Sequence, residues 1–371
     1  MDPIDPTSDE TGLLLWRITV APGDMLLFSW HHVIGDGQSG LAVLKSILDG
    51  LNLDEDVKEF DPRAVVTPAR SQLVPPVEAL TDVTPGIPRL LAAAVENYVP
   101  RHLTLWNVWS GNDVPDVTTD ELKTHVRLLD LSPASSSKLV ALSRSHRTTV
   151  TSVLYILSMS VLSELLAQRK RPGAGSTAGY SQLSTFVPVS LRPLTGSAPT
   201  VMCNELANYI AYEPLLLTGF SWDMATEFTQ KLRSTLVSTR EQVGSMWWLF
   251  GNYEKFFRWK ICDKRENSLK LSNVGVFKPD APRRIWNGWE EVEAPKPKWK
   301  IGKAYFAHDD AIVGAALQMN VIGSPDGSLN TCVRWGEGAI DNDVAESFVN
   351  IFQSRLDELI VKESVLGKAV S

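Results

Sequence analysis

Two apolar runs, residues 13–20 and 25–30, are joined by Ala21-Pro22-Gly23-Asp24. Gly and Pro between two strand-like runs predict a β-hairpin. Its second strand feeds directly into His31-His32-Val33-Ile34-Gly35-Asp36-Gly37. The next apolar residues, Leu41, Leu44, Ile47, Leu48 and Leu51, are spaced for one face of a helix. Few folds accommodate a strand, a histidine pair, a glycine-flanked aspartate turn and a helix in immediate succession. Alternation along the strand would send His31 and His32 to opposite faces, so only one can enter a given cavity. Gly35, Asp36 and Gly37 then form a tight turn that opens the helix.

Further along, residues 61–88 are rich in Pro and polar side chains and read as a long crossover. A helix is expected over 90–98 and a strand over 125–131. Ser132 is placed to cap the following helix, with Pro133 in its first turn. Another helix begins near Thr149 or Thr151 and stops before Arg171-Pro172-Gly173, and 173–179 is a loop of small residues. Strands are expected at 183–189, 205–212 and 269–277, with helix over 222–243. Residues 311–322 and 329–335 flank Ser324-Pro325-Asp326-Gly327, a hairpin signal, and a last helix covers about 341–361. Strands interspersed with helices, hairpins and long crossings give an α/β chain of mixed sheets layered with helices. No glycine-rich phosphate loop follows a strand, which disfavours a nucleotide-binding parallel sheet.

Composition narrows the function. The 371 residues suffice for two ordinary domains, and 44% apolar with 21% charged is ordinary for a soluble globular chain. Lys and Arg total 36 against 43 acids, a formal net charge of −7, which argues against nucleic acid as a partner. Cys203, Cys262 and Cys332 are odd in number and widely spaced, so neither a disulfide framework nor a zinc site is suggested and a reducing, cytoplasmic setting is expected. The acidic, Pro-containing start has none of the basic-then-apolar order of a secretory signal. The most apolar long window, 150–167, carries four serines and Glu164 and reads as a buried helix rather than a membrane span.

A chance match to His-His-x-x-x-Asp-Gly is rare, on the order of one in a thousand for a chain of this length. The motif resembles that of the chloramphenicol acetyltransferase-like, CoA-dependent acyltransferase superfamily, and the resemblance is closest to the fungal alcohol O-acetyltransferase family. Three further segments extend it in the family's order: Leu73-Val74-Pro75-Pro76-Val77-Glu78-Ala79-Leu80, Val187-Pro188-Val189-Ser190-Leu191-Arg192-Pro193 and Leu271-Ser272-Asn273-Val274-Gly275-Val276-Phe277.

The resemblance implies a two-lobed α/β acyltransferase, with an N-lobe at 1–120 and a C-lobe at 121–371 around a tunnel open to acyl-CoA at one mouth and to a small-molecule alcohol at the other. It implies catalytic roles for His32, Asp36 and Ser272. His32 is the base that takes the hydroxyl proton and later protonates the CoA thiolate. A histidine near its ordinary value of ~6.5 is neutral enough for that task. Asp36 points away from substrate and pairs with Arg192 from the other lobe, and Ser272 donates to the oxyanion. His31, Gly37, Arg192, Asn273 and Gly275 support the site. Gly37 serves the turn and the close approach of the acyl donor. The bland alternatives are a solvated Arg192 at a strand end and a Ser272-Asn273 pair that merely satisfies a sheet edge.

The implied reaction moves an acetyl or other short acyl group from acyl-CoA to a hydroxyl, with no metal and no permanently bound cofactor, in a chain expected to be monomeric. The rivals are a condensation-type domain acting on carrier-bound thioesters and an inactive relative that only binds a partner or ligand. In the family a long segment precedes the hairpin, so the N-lobe is expected to be incomplete through a missed or fragmentary start, leaving apolar surface on the hairpin and first helix exposed. Three weaker features remain. The aromatics from Met246 to Lys260 read as core packing ahead of an acceptor channel or a membrane-surface contact. Lys296, Lys298, Lys300 and Lys303 read as a solvated loop ahead of CoA phosphate ligands. His308 beside Asp309 and Asp310 reads as a run of solvated polar side chains ahead of metal chemistry, since no second histidine is placed nearby.

Overall fold

The computed structural model describes residues 15–52, 73–116, 123–169, 179–246, 252–279, 284–286, 291–293, 297–308 and 312–369. Strands and helices follow in the order β1 Trp16–Ala21, β2 Met25–Trp30, α1 Gly37–Leu51, α2 Val77–Leu80, α3 Ile87–Tyr98, α4 Arg101–Thr104 and β3 Val108–Trp109. Then come β4 Thr124–Leu131, α5 Pro133–Ser145, α6 Val150–Arg169, β5 Gln182–Ser190, α7 Arg192–Thr195, β6 Leu206–Pro214, α8 Trp222–Thr239 and α9 Glu241–Ser245. The chain closes with α10 Tyr253–Arg258, β7 Leu269–Val276, β8 Arg284–Trp286, β9 Glu291–Glu293, β10 Leu317–Gly323, β11 Leu329–Gly336 and α11 Asn342–Ala369.

Backbone proximity divides the chain into two compact units. The first comprises Met1–Asp82, Arg192–Glu205 and Phe277–Gly302, and the second Val83–Leu191, Leu206–Val276 and Lys303–Ser371. Both are discontinuous, whereas the lobes expected at 1–120 and 121–371 are continuous stretches of sequence.

In the first unit β1 and β2 form the expected antiparallel hairpin, in register from Trp16↔Trp30 to Ala21↔Met25. Gly23 and Asp24 both adopt positive φ at its tip, which is why a Gly-Asp pair stands there. Apolar side chains of the hairpin remain exposed, among them Trp16, Ile18, Val20, Met25 and Leu27. Helix α1 begins where the turn ends and buries Ala42 and Leu48, although Leu51, which shares its apolar spacing, is exposed.

The second unit is built on a seven-stranded mixed sheet ordered β3-β5-β7-β10-β11-β4, with β6 paired to β5. Central β7 runs parallel to both β5 and β10, whereas β11 is antiparallel to both of its neighbours, β10 and β4. Leu269, Leu271, Met319, Val321, Val333 and Trp335 share one face by strand alternation and join a single core with α5, α6 and α11. The 20-residue α6 is long and apolar enough to cross a membrane by composition alone, yet 78% of its apolar window is buried inside this unit. A helix apolar all round is a core helix when neighbours cover it. Its polar groups are partnered: the Tyr155 hydroxyl meets the Thr185 hydroxyl at 2.7 Å and Ser158 Oγ donates to the Leu154 carbonyl.

Candidate active site

Strand β2 stops at Trp30, so His31 and His32 lie in the connection to α1 and not on the strand. Strand alternation therefore does not separate them; hydrogen bonding does. The His31 amide donates to the Leu15 carbonyl at 2.8 Å, and its ring Nδ1 accepts from the Val33 amide at 3.2 Å. That bond turns the His31 ring back onto its own loop. His32 has its carbonyl held by Asn204 Nδ2 at 2.9 Å, and the residue is exposed.

Asp36, with no exposed surface, organises the turn. Its extended backbone makes it the N-cap of α1, where Oδ1 accepts from the Ser39 amide at 3.0 Å and from Ser39 Oγ at 3.1 Å. Arg192 clamps both oxygens, Nη1 to Oδ2 at 2.6 Å and Nη2 to Oδ1 at 3.1 Å. The Glu205 amide adds a fifth donor, to Oδ2 at 3.2 Å. With its lone pairs so engaged, Asp36 has no capacity left to orient His32 or meet a substrate. Burial works to lower the Arg192 guanidinium's proton affinity, and the bonds and charge of Asp36 outweigh it, holding the group above its ordinary range. Arg192 belongs to the same compact unit as Asp36.

Several partners of this hub were not anticipated from sequence. Ser39 Oγ donates to the Cys203 carbonyl at 2.7 Å and accepts from the Cys203 amide at 3.0 Å. The Cys203 sulfur accepts from Arg192 Nη2 at 3.1 Å, and burial pushes its thiol up to about 11. The carboxylate of Glu205 accepts from the Thr195 and Ser197 hydroxyls, which folds α7 back toward the turn. Gly40 lets helix and hairpin touch: a Cβ there would lie 2.4 Å from the Trp30 ring, whose Nε1 donates to the Gly35 carbonyl at 2.9 Å. The legible signal for Ser39 is its place three residues after a capping aspartate; Cys203 and Glu205 carry no local signature.

Gly37 departs from expectation. It is the first residue of α1 and is not among the glycines with positive φ, so the turn itself does not require a glycine there.

Within the second unit, Ser272 and Asn273 sit on β7, paired there with β10 at Asn320 and Val321, whereas the pairing of β7 with β5 covers Leu269 and Lys270. Ser272 is buried, and among the described residues its hydroxyl has no hydrogen-bond partner. Asn273 points to the helical side, where Nδ2 donates to Thr151 Oγ1 at 3.0 Å and Oδ1 accepts from the Gly275 amide at 2.9 Å. Gly275 has φ +82°, and between the pairs Asn273↔Val321 and Val276↔Gly323 β7 carries one extra residue. This is a β-bulge at a left-handed glycine, pinned by the preceding asparagine.

The weaker features resolve individually. Residues 247–251, Lys296, Asp309 and Asp310 lie outside the described residues, as do 1–14 and residues 61–72 of the 61–88 crossover. Of the aromatics expected in the core, Phe257 is 47% and Trp259 63% exposed. The six-residue α10 offers too little length to bury both, and it directs Phe256 and Phe257 onto buried Lys260, whose Nζ lies 4.1 Å and 5.5 Å from the two ring centroids. Lys303 is engaged by Asp130 at 2.7 Å. His308 Nδ1 meets Asn320 Oδ1 at 2.8 Å. Hollows of the second unit, one at Asn252, Lys255 and Trp259 and one at Leu157, Phe220 and Arg355, include none of the candidate residues.

The layered α/β architecture is that of the CoA-dependent acyltransferase and condensation-type folds. Among solved structures, the epimerization domain from the third module of tyrocidine synthetase B aligns with TM-score 0.51 at 12% identity, covering 95% of this chain and 73% of that one. TRI3 trichothecene 15-O-acetyltransferase from Fusarium sporotrichioides aligns with TM-score 0.52 at 12% identity, covering 88% and 65%. The alcohol acetyltransferase family model matches residues 6–356, and the chain belongs to that family of transferases. Among curated proteins, Probable alcohol acetyltransferase crmB of Aspergillus fumigatus is 24% identical, covering 91% of this chain and 71% of its own length. Probable alcohol acetyltransferase FCK4 of Fusarium pseudograminearum is 22% identical, covering 85% and 63%. The chain thus spans roughly two thirds of the length of these relatives.

Proposed function

We propose that this chain transfers an acetyl or short acyl group from acyl-CoA to the hydroxyl of a small alcohol, with His32 as general base. The observation that carries the reading is the division of labour in the motif: Asp36 is fully consumed in holding the turn, whereas His32 is fixed through its backbone and its residue is exposed. In the proposed step His32 accepts the hydroxyl proton as the alcohol oxygen bonds to the thioester carbonyl carbon. The C–S bond then breaks, and the proton passes from the imidazolium to the CoA thiolate, giving ester and free thiol. Ser272 is the proposed oxyanion donor, supported by a hydroxyl that no described residue engages. Asp36 and Arg192 are positioning residues that hold the loop bearing His32.

The test is thiol release by the purified chain with acetyl-CoA and a panel of alcohols, run beside the same acyl group on a carrier-protein pantetheine arm. Ester formation with CoA supports the proposal. Turnover of the carrier thioester alone would move the chain to condensation-type chemistry, a choice raised by its fold likeness to the tyrocidine epimerization domain. Binding of an alcohol without turnover of either donor would indicate an inactive relative.

A further inference from the structure

His32 sits between two peptide planes, and both are tied. In the plane before it, the His31 carbonyl accepts from the Ile34 amide at 3.1 Å. The plane after it is held at its two polar ends. Its N–H, that of Val33, donates to His31 Nδ1 at 3.2 Å, and its carbonyl, that of His32, accepts from Asn204 Nδ2 at 2.9 Å. A peptide unit turns as one rigid body, so holding its N–H and its C=O together fixes ψ of His32. That angle decides the direction in which the Cα–Cβ bond carries the imidazole away from the loop.

Bonds within 31–34 shape the loop but cannot place it against the rest of its unit. Leu15 contributes to that placement from the hairpin, and Asn204 contributes from the segment ahead of β6. Asn204 stands between two locked neighbours. The Cys203 carbonyl accepts from the Asp36 amide at 3.1 Å and from Ser39 Oγ at 2.7 Å, and the Glu205 amide donates to Asp36 Oδ2 at 3.2 Å. Cys203 and Glu205 are buried, whereas Asn204 is exposed and turns its side chain to His32. Its short stem therefore measures a distance from the same Asp36 and Ser39 that open α1. A carbonyl can only accept, so Asn204 has to present its nitrogen, and an aspartate of equal size has no proton to offer when ionised.

We propose that Asn204 is a positioning residue for acyl transfer, its amide setting the aim of the His32 imidazole while adding little to folding. The inference rests on His32 being the general base. One exposed hydrogen bond adds little stability, because water takes its place when the chain unfolds. A base that must meet a hydroxyl proton is far more sensitive, since a misplacement of about 1 Å can cost about 10²-fold in rate. Asn204 belongs to no motif, and its role comes from the two neighbours that fix its backbone.

The experiment compares the purified full chain with Asn204→Ala, Asn204→Asp and Asn204→Gln, using acetyl-CoA and the best alcohol of the panel. Steady-state kinetics and urea unfolding are read beside the nuclear magnetic resonance signals of the Val33 amide and the His32 imidazole, the latter assigned with His32→Gln. Asn204→Ala and Asn204→Asp should each lower kcat about ten- to hundredfold, with KM for both substrates and the urea midpoint unchanged. Both should also shift the two resonances. Asn204→Gln keeps the donor on a longer stem and should recover part of the lost kcat. A kcat within about twofold of wild type in folded Asn204→Ala overturns the proposal, as does a Gln variant no better than Ala. A fall in kcat that comes with a lowered midpoint also overturns it, by making Asn204 a stability residue, and a raised KM with kcat intact makes it a substrate contact instead. A wild-type chain that turns over no alcohol sinks the acyl-transfer reading by itself. The two resonances then still decide whether Asn204 orients the histidine, and signals unmoved in Asn204→Ala rule it out.

Discussion

Asp36→Ala removes the acceptor for five donors at once, and the sizes of those losses are separable. The helix cap to Ser39 is worth about 1 kcal/mol in typical cases. Stranding Arg192, only 7% exposed, costs about 3–5 kcal/mol, because a buried guanidinium without its carboxylate is the expensive remnant. These terms overlap, so the expected total is about 3–5 kcal/mol. Arg192→Met should cost less, since Asp36 retains Ser39 and the Glu205 amide. In the double variant neither charge is stranded, and its loss should fall short of the sum by at least about 1.5 kcal/mol. Urea unfolding followed by far-ultraviolet circular dichroism and tryptophan fluorescence measures all three, with Trp30 reporting on the turn through its bond to Gly35. The sign of any pH dependence is fixed: Arg192 has a raised proton affinity, so its stabilisation is complete below the ordinary arginine range and is lost only on rising through the folded value. The coupling should accordingly be flat from about pH 6 to about pH 9. Additive losses, or an Asp36→Ala cost under about 1 kcal/mol, would refute the claim that this carboxylate holds the turn.

His32→Ala should lower turnover about 10²–10⁴-fold without moving the unfolding midpoint, while His31→Ala should chiefly lower the midpoint; near-normal turnover in the first would remove His32 from the mechanism. Ser272→Ala should reduce kcat about 10²–10³-fold with little change in CoA affinity, and an unchanged kcat would make it a structural residue. Gly275→Ala should cost about 1–2 kcal/mol from backbone conformation alone, since a Cβ there meets nothing within 4 Å; a neutral result by thermal unfolding would argue against the left-handed bulge. Lys270→Met should raise stability by about 1–3 kcal/mol near neutral pH, because burial pushes the Lys270 amine down to about 8. Because the folded Lys270 loses its proton at about 8 and the unfolded chain holds it longer, wild-type stability rises between these values and the advantage of Met should shrink as pH climbs toward the ordinary lysine range. A pH-independent difference in urea midpoints would contradict that linkage.

Local chemistry was the legible part of this chain. The hairpin tip, the Ser132 cap with Pro133 behind it and the start of α6 near Thr149 all follow from residues adjacent in sequence, and the Ser132 side chain does accept from the Ser135 amide. The pairing of Asp36 with Arg192, 156 positions apart, came only from resemblance to a family pattern. Cys203 looked like an isolated thiol because its partners are distant in sequence: its backbone exchanges two hydrogen bonds with Ser39, and its sulfur accepts from Arg192. The second buried face of β10 was missed for a different reason: the alternation Leu317-Gln318-Met319-Asn320-Val321 looks like a strand with one wet side, and β10 is buried on both. Aromatic residues around α10 misled in the opposite direction, since size predicts burial only where an element is long enough to be covered.

The bulge at Gly275 has a mechanical consequence. A regular strand pair can slide by two residues and keep inward and outward positions unchanged, so its alignment is only as firm as the side chains that flank it. Here one notch fits: Asn273 grips both the Gly275 amide and Thr151 of α6, and only the glycine accepts the left-handed kink between them. β7 is therefore indexed against β10 and α6 like a ratchet against its pawl. A single-residue deletion in 274–276 would remove the extra residue and with it the catch, leaving a regular ladder free to slip, whereas a side-chain exchange elsewhere on β7 would leave the alignment of Ser272 where it stands.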